Sequence, residues 1–194
     1  MNFSALLVYM LVMSFTPGPN NLMCLYLGAK SGLKGASRFM TASMASLFVK
    51  TLLCGFLNII LAEKIPAVVP YLKWVGALYM LYLAFSMVRS GLKSGSEEVR
   101  EGESTYLSGI LLQCLNIKSW IAALSIFSVY VIPYTTNAGT IVMVTAVFIA
   151  TALAASLLWC FCGKAIQRIY SRWKLPVSIL LALTLVYCAY TALL

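Results

Sequence analysis

Six apolar runs, at 3–27, 39–61, 68–88, 106–132, 140–162 and 177–194, leave this chain little to fold into except helices that cross a bilayer. Hydrocarbon about 30 Å thick is spanned by about 20 residues of helix rising 1.5 Å each, and all six runs suit that length. Strands are a poor alternative, because the runs lack the polar and apolar alternation of a membrane barrel. A lipid-exposed backbone, with no water to bond, must then close its hydrogen bonds within each helix. With 62% hydrophobic and 10% charged residues among 194, nothing remains for a soluble domain of any size. The first run is expected to stay in the protein: no basic residue precedes it, it is too long for a signal peptide, and no clear cleavage site follows. The expected fold class is an all-α membrane protein of six transmembrane helices, a single domain over 1–194.

Basic residues orient such a bundle, since short cytoplasmic loops carry the excess of Lys and Arg. Lys30, Lys34 and Arg38 follow the first run, Arg89, Lys93 and Arg100 the third, and Lys164, Arg168, Arg172 and Lys174 the fifth; the alternate connections hold Lys64 and Lys73. The connections after the first, third and fifth runs are therefore expected in the cytoplasm, and both termini outside. The net charge of +9 is a topology signal first. Spread over three short membrane-side loops, it makes no nucleic-acid surface.

The stretch 90–105, rich in Gly, Ser and Glu, is the one segment that reads as a linker. It divides the chain into three-helix halves, 1–89 and 106–194. Because three is odd, the halves enter the membrane from opposite sides, which makes them candidates for an inverted repeat. In transporters with such repeats the substrate site lies near the midplane, where interrupted helices meet.

Each half carries an interruption in its first run. The first run contains Thr16-Pro17-Gly18-Pro19-Asn20-Asn21 and the fourth contains Asn116-Ile117-Lys118. Pro17 and Pro19 lack amide hydrogens, so the carbonyls of Met13 and Phe15 lose their helical partners, and Gly18 lets the chain bend. The half-helix after Pro19 offers free amides and a positive dipole end, a place suited to a carboxylate. A plain proline kink is the simpler use of such a segment, yet two consecutive asparagines make it more polar than a kink requires.

Two lysines lie near the middles of their runs, Lys50 in the second and Lys118 in the fourth. An ammonium at that depth costs about 2.5–3.5 kcal/mol on insertion scales. All five acidic residues are Glu and none lies in an apolar run, so no salt bridge at midplane can be written. Backbone carbonyls, water, deprotonation or a substrate anion are the remaining compensations.

Thr16-Pro17-Gly18-Pro19-Asn20-Asn21, the segment Gln113-Cys114-Leu115-Asn116-Ile117-Lys118, the chain length and the six runs together resemble the LysE/RhtB family of amino-acid exporters. The double Asn, the Asn-x-Lys without a middle proline and the ending Leu185-Val186-Tyr187-Cys188-Ala189 are similar to the branch that exports cysteine and O-acetylserine. The resemblance implies a multi-pass exporter of small amino acids in a bacterial inner membrane, driven by protons and bound to no cofactor. Many family members carry an Asp in or near the second helix, and this chain has none. That departure leaves the proton-carrying group open and argues against dibasic substrates. On this reading Lys118 and the helix end formed by Pro17, Gly18 and Pro19 hold the substrate carboxylate. Asn20, Asn21, Gln113 and Asn116 hold its amino group, and Lys118 or Lys50 carries the coupled proton.

Two rival functions fit the same architecture. Cys24 and Cys114 are a possible redox pair for a transmembrane thiol-disulfide carrier, although six cysteines inside apolar runs more simply serve as small buried side chains. A non-transporting assembly subunit is the other, with Gly28 and Gly32 spaced as a helix contact within the chain or as a seam in a homo-oligomer. Histidine is absent, and no phosphate-binding glycine loop or metal-ligand cluster occurs. An ATPase, a metal site and a Ser-His or Cys-His hydrolase are therefore not expected.

Overall fold

The structure, a computed structural model, describes residues 2–92 and 106–193. They form α-helices and one π-helical turn, with no strand among them: α1 (Phe3–Phe15), α2 (Pro19–Phe56), α3 (Asn58–Leu92), α4 (Tyr106–Leu115), α5 (Ile117–Ser125) continued by the π turn Ile126–Val131, α6 (Ala138–Ala165), α7 (Gln167–Arg172) and α8 (Lys174–Leu193). Pro19–Phe56, Ala138–Ala165 and Lys174–Thr191 are each long and apolar enough to cross a membrane. The pair Tyr106–Leu115 and Ile117–Val131, bent by 61°, makes a fourth crossing when taken as one span. The run at 3–27 is shared between α1 and the start of α2, and the run at 68–88 lies inside α3. Most of the stretch read as a linker, and with it Glu97, Glu98, Glu101 and Glu103, lies outside the described residues.

Both interruptions in the first and fourth runs are present. Proline disfavours helix in the residue before it; Thr16 and Gly18, two positions apart, both leave the helical region, whereas Ile65, Val69 and Leu175, also ahead of prolines, stay helical. Thr16, ahead of Pro17, is extended at φ −60, ψ 141 and ends α1. Gly18, ahead of Pro19, is extended at φ −168, ψ 171 and starts α2 with proline in its first turn. Asn116 breaks the fourth run with no proline nearby, at φ −77, ψ 97.

The connection expected around Lys30, Lys34 and Arg38 is a turn of one residue. Helix runs through all three positions and reverses only at Gly32, whose φ of 66 and ψ of −170 lie where side chains are excluded. Gly28, spaced with Gly32 as a contact within the chain or a seam, serves the former without Gly32. A Cβ there would stand 2.2 Å from the carbonyl oxygen of Cys160, and a Cβ on Gly163 would stand 2.1 Å from that of Leu25. These two glycines let the backbones of α2 and α6 touch, so the small-residue contact is made within the chain.

Two apolar cores result. One joins the first part of α2 to α3, α8 and the end of α6 through Phe39, Met40, Met87, Cys160 and Leu185. The other joins α1, the second part of α2, α5 and α6 through Met10, Met44, Leu47, Phe127 and Phe148. On α2, Ser43 stands between Met40 of one core and Met44 of the other. On α6, Thr151 and Ser156 stand between Phe148 and Cys160. Polar side chains thus occupy the level between the cores, about halfway along Ala138–Ala165.

Candidate functional site

At that level a cavity of about 60 Å³ is lined by Ser14, Gly18, Asn20, Asn21, Gln113, Asn116, Lys118 and Ser119 on one side. Met13, Met44, Leu47, Ala122, Phe148 and Ala152 form its apolar wall. A volume of that order holds a handful of waters and suits a small solute. Among the described lining residues Lys118 is the one charged side chain.

The freed carbonyls of the first break determine much of the geometry. Asn21 Nδ2 donates to Ser14 O at 2.8 Å and to Thr16 O at 3.0 Å. Trp159 Nε1 reaches Phe15 O at 3.3 Å, the carbonyl whose helical partner would have been Pro19. Lys118 Nζ crosses from α5 to donate to Thr16 O and Thr16 Oγ1, both at 2.9 Å. Its chain passes over Gly18, where a Cβ would be 3.5 Å from Lys118 Cδ and Nζ. Pro17 is exposed and Pro19 is buried; they shape the break without lining the cavity.

The second break is closed in the same manner by residues from elsewhere. Lys50 Nζ, from α2, donates to Gln113 O at 2.7 Å and to Ser119 Oγ. Trp120 Nε1 donates to Cys114 O at 2.7 Å, and the Lys50 ammonium lies 5.2 Å from the Trp120 ring centre. Ser119 Oγ donates to Asn116 O at 2.7 Å. Both lysines therefore meet neutral oxygens, in keeping with the absence of acidic residues from the apolar runs.

Asn20 is held from two sides. Ser43 Oγ donates to Asn20 Oδ1 at 2.6 Å, and Asn20 Nδ2 donates to Ser156 Oγ at 3.3 Å. Ser43 also lies 3.5 Å from Gln113 Oε1, and Ser14 Oγ lies 3.2 Å from Thr151 Oγ1. The structure brings Gly18, Asn20, Asn21, Gln113, Asn116 and Lys118 to one cavity, with Lys50 behind its wall. Reading the sequence missed Ser14, Ser43, Ser119 and Ser156, although a hydroxyl near the centre of an apolar run is a usable signal for Ser14 and Ser119. Cys24 is fully buried, Cys114 is exposed with its thiol 3.4 Å from Ser46 Oγ, and both thiols are free.

A family model described as LysE type translocator matches residues 11–193. A cysteine/O-acetylserine efflux protein of Salmonella paratyphi A is 30% identical over 189 residues, covering 97% of this chain and 96% of that protein. The protein of the same name from Escherichia coli K12 is 28% identical over 186 residues, covering 96% of this chain and 94% of its own length. No solved structure matches the chain.

Proposed function

On the premise that this chain belongs to the LysE type translocator family, we propose that it exports a small neutral amino acid, of the cysteine or O-acetylserine kind, across a bacterial inner membrane. One observation carries the reading: both helix breaks and a single ammonium, Lys118, meet at one small cavity between the two cores. Lys118 and the free amides that open α2 after Pro19 take the substrate carboxylate. Oxygen atoms of Asn20, Asn21, Gln113 and Asn116 take its ammonium group, and the wall of Met44, Leu47, Phe148 and Ala152 takes a short uncharged side chain. A cationic side chain finds no carboxylate there, which supports neutral over dibasic substrates.

The order of elements supports the inverted-repeat reading. Each half begins with a short helix, a break and a second helix, the latter being in the first half the part of α2 before Gly32; the rest of α2 and α6 are the long helices that follow, and α3 packs on α8. Six crossings are our reading of the six apolar runs, and both termini outside is our reading of the distribution of Lys and Arg. Rocking of one half against the other then exposes the cavity alternately, with protons as the driving ion. Lys118 is the coupling group we favour over Lys50, because it faces the cavity.

Efflux of labelled cysteine, O-acetylserine, threonine, leucine and lysine from cells with and without the protein tests the proposal. Faster loss of the first two, with lysine unchanged, is the expected result. Equal efflux of all five in both strains would end the exporter reading.

A further inference from the structure

We propose that Lys50 is a positioning residue for the transport site: it holds the carbonyl end of α4 from outside the cavity and so sets where Asn116, Lys118 and Ser119 stand. The inference rests on reading that cavity as the transport site.

Lys50 is 4% exposed and is not among the residues that line the cavity, yet two of its hydrogen-bond partners, Gln113 and Ser119, are. In an unbroken helix Gln113 O would accept from Ile117 N. The break at Asn116 removes that donor, and Lys50 Nζ replaces it at 2.7 Å. A cation is well matched to the negative end of a helix, and a carbonyl left bare in hydrocarbon costs several kcal/mol. Through Ser119, which passes a hydrogen bond on to Asn116 O, the same ammonium steadies the first residues of α5. Those residues include Lys118.

The arrangement is crossed. Lys118, after the second break, donates to Thr16 O at the first; Lys50, before the linker, donates to Gln113 O at the second. A tryptophan accompanies each, Trp159 on Phe15 O and Trp120 on Cys114 O. Exposure separates their roles. Lys118 borders the cavity and can exchange Thr16 for a carboxylate, whereas Lys50 is enclosed by Gln113, Ser119 and the Trp120 ring.

Uptake of labelled cysteine and O-acetylserine into proteoliposomes, with Lys50→Met, Lys50→Gln and Lys50→Arg checked for monodispersity, tests this. Lys50→Met is expected to raise KM for both substrates in parallel, on the order of tenfold as for lost supporting contacts elsewhere, with Vmax less affected. Lys50→Arg, which keeps a cation within reach of Gln113 O, is expected to recover most of the loss. If Lys50→Met does not fold, Lys50→Gln, which retains a neutral donor nitrogen, is expected to show a smaller parallel rise. KM values within twofold of wild type for the folded variants overturn the inference, as does a change confined to one substrate, which means direct contact. Alkylation of the exposed Cys114 thiol in a chain lacking the other cysteines gives a readout independent of transport. Loss of the Lys50 contact is expected to speed labelling several-fold, and an unchanged rate counts against the inference even where the wild type transports neither substrate.

Discussion

Replacing Lys118 with methionine removes the ammonium from the cavity while keeping an unbranched apolar side chain of similar length. Two 2.9 Å hydrogen bonds disappear, to the carbonyl and the hydroxyl of Thr16. The carbonyl is not stranded, because Asn21 Nδ2 still donates to it at 3.0 Å, and the Thr16 hydroxyl keeps Val12 O as an acceptor. The break in the first run should therefore survive, and the lesion should fall on the substrate. A hydrogen bond between charged partners is worth about 1.5–3 kcal/mol net. At 1.4 kcal/mol per tenfold, KM for cysteine should rise roughly 10- to 150-fold in proteoliposome uptake. Lys118→Arg keeps the charge and should recover part of that loss, while Thr16→Val removes only a neutral hydroxyl and should cost less than about fivefold. A folded Lys118→Met protein with KM within twofold of wild type would show that the carboxylate binds elsewhere.

Gly28→Ala should destabilise the protein by about 1–3 kcal/mol, because its Cβ would lie 2.2 Å from the Cys160 carbonyl oxygen; a lower thermal midpoint in detergent is the readout, and an unchanged midpoint would refute the α2–α6 contact. Gly18→Ala should leave that midpoint alone, since its backbone is extended and its Cβ finds ordinary contact at 3.5 Å from Lys118. The added methyl nevertheless narrows the cavity beside the ammonium, so transport should weaken; normal transport would argue that Gly18 does not border the substrate. Replacing all six cysteines should preserve uptake, whereas its abolition in a folded protein would favour thiol chemistry over binding at the cavity.

The first break was legible because it is local. Two closely spaced prolines with a glycine between them disfavour helix in the residue ahead of each, and the structure has Thr16 and Gly18 extended. The second break carries no such steric instruction, and the polar pair Asn116 and Lys118 within an apolar run marked it only indirectly. The turn at Gly32 was hidden by its economy: a loop was expected across Lys30, Lys34 and Arg38, but one glycine with positive φ reverses the chain, and Lys30, Leu33 and Lys34 beside it are good helix formers. Lys50 was recognisable as a residue in need of a partner. That its partner is Gln113 O, 63 positions away in the chain, follows from how α2 packs on α4, and no spacing rule reports such a pairing.

The crossed lysines bear on how the two halves can move. A broken helix in lipid is tolerated when protein satisfies its carbonyls, and donors from the other half of the chain help at each break here, Lys118 and Trp159 at the first and Lys50 at the second. Neither break can part from the opposite half without exposing a carbonyl in an apolar setting, at a cost of several kcal/mol. A substrate carboxylate can relieve part of that constraint at the first break, since Lys118 has somewhere else to bind and Thr16 O retains Asn21, while Trp159 keeps Phe15 O. The second break has no such substitute, because Lys50 is enclosed. Motion driven by substrate should thus loosen the Thr16 side of the cavity while Gln113, Ser119 and Lys50 move with α2 as one unit. Spin labels paired across α1 and α5 should report a distance change when cysteine binds, and labels paired across α2 and α4 should not. The reverse pattern would mean that the hinge lies at Asn116.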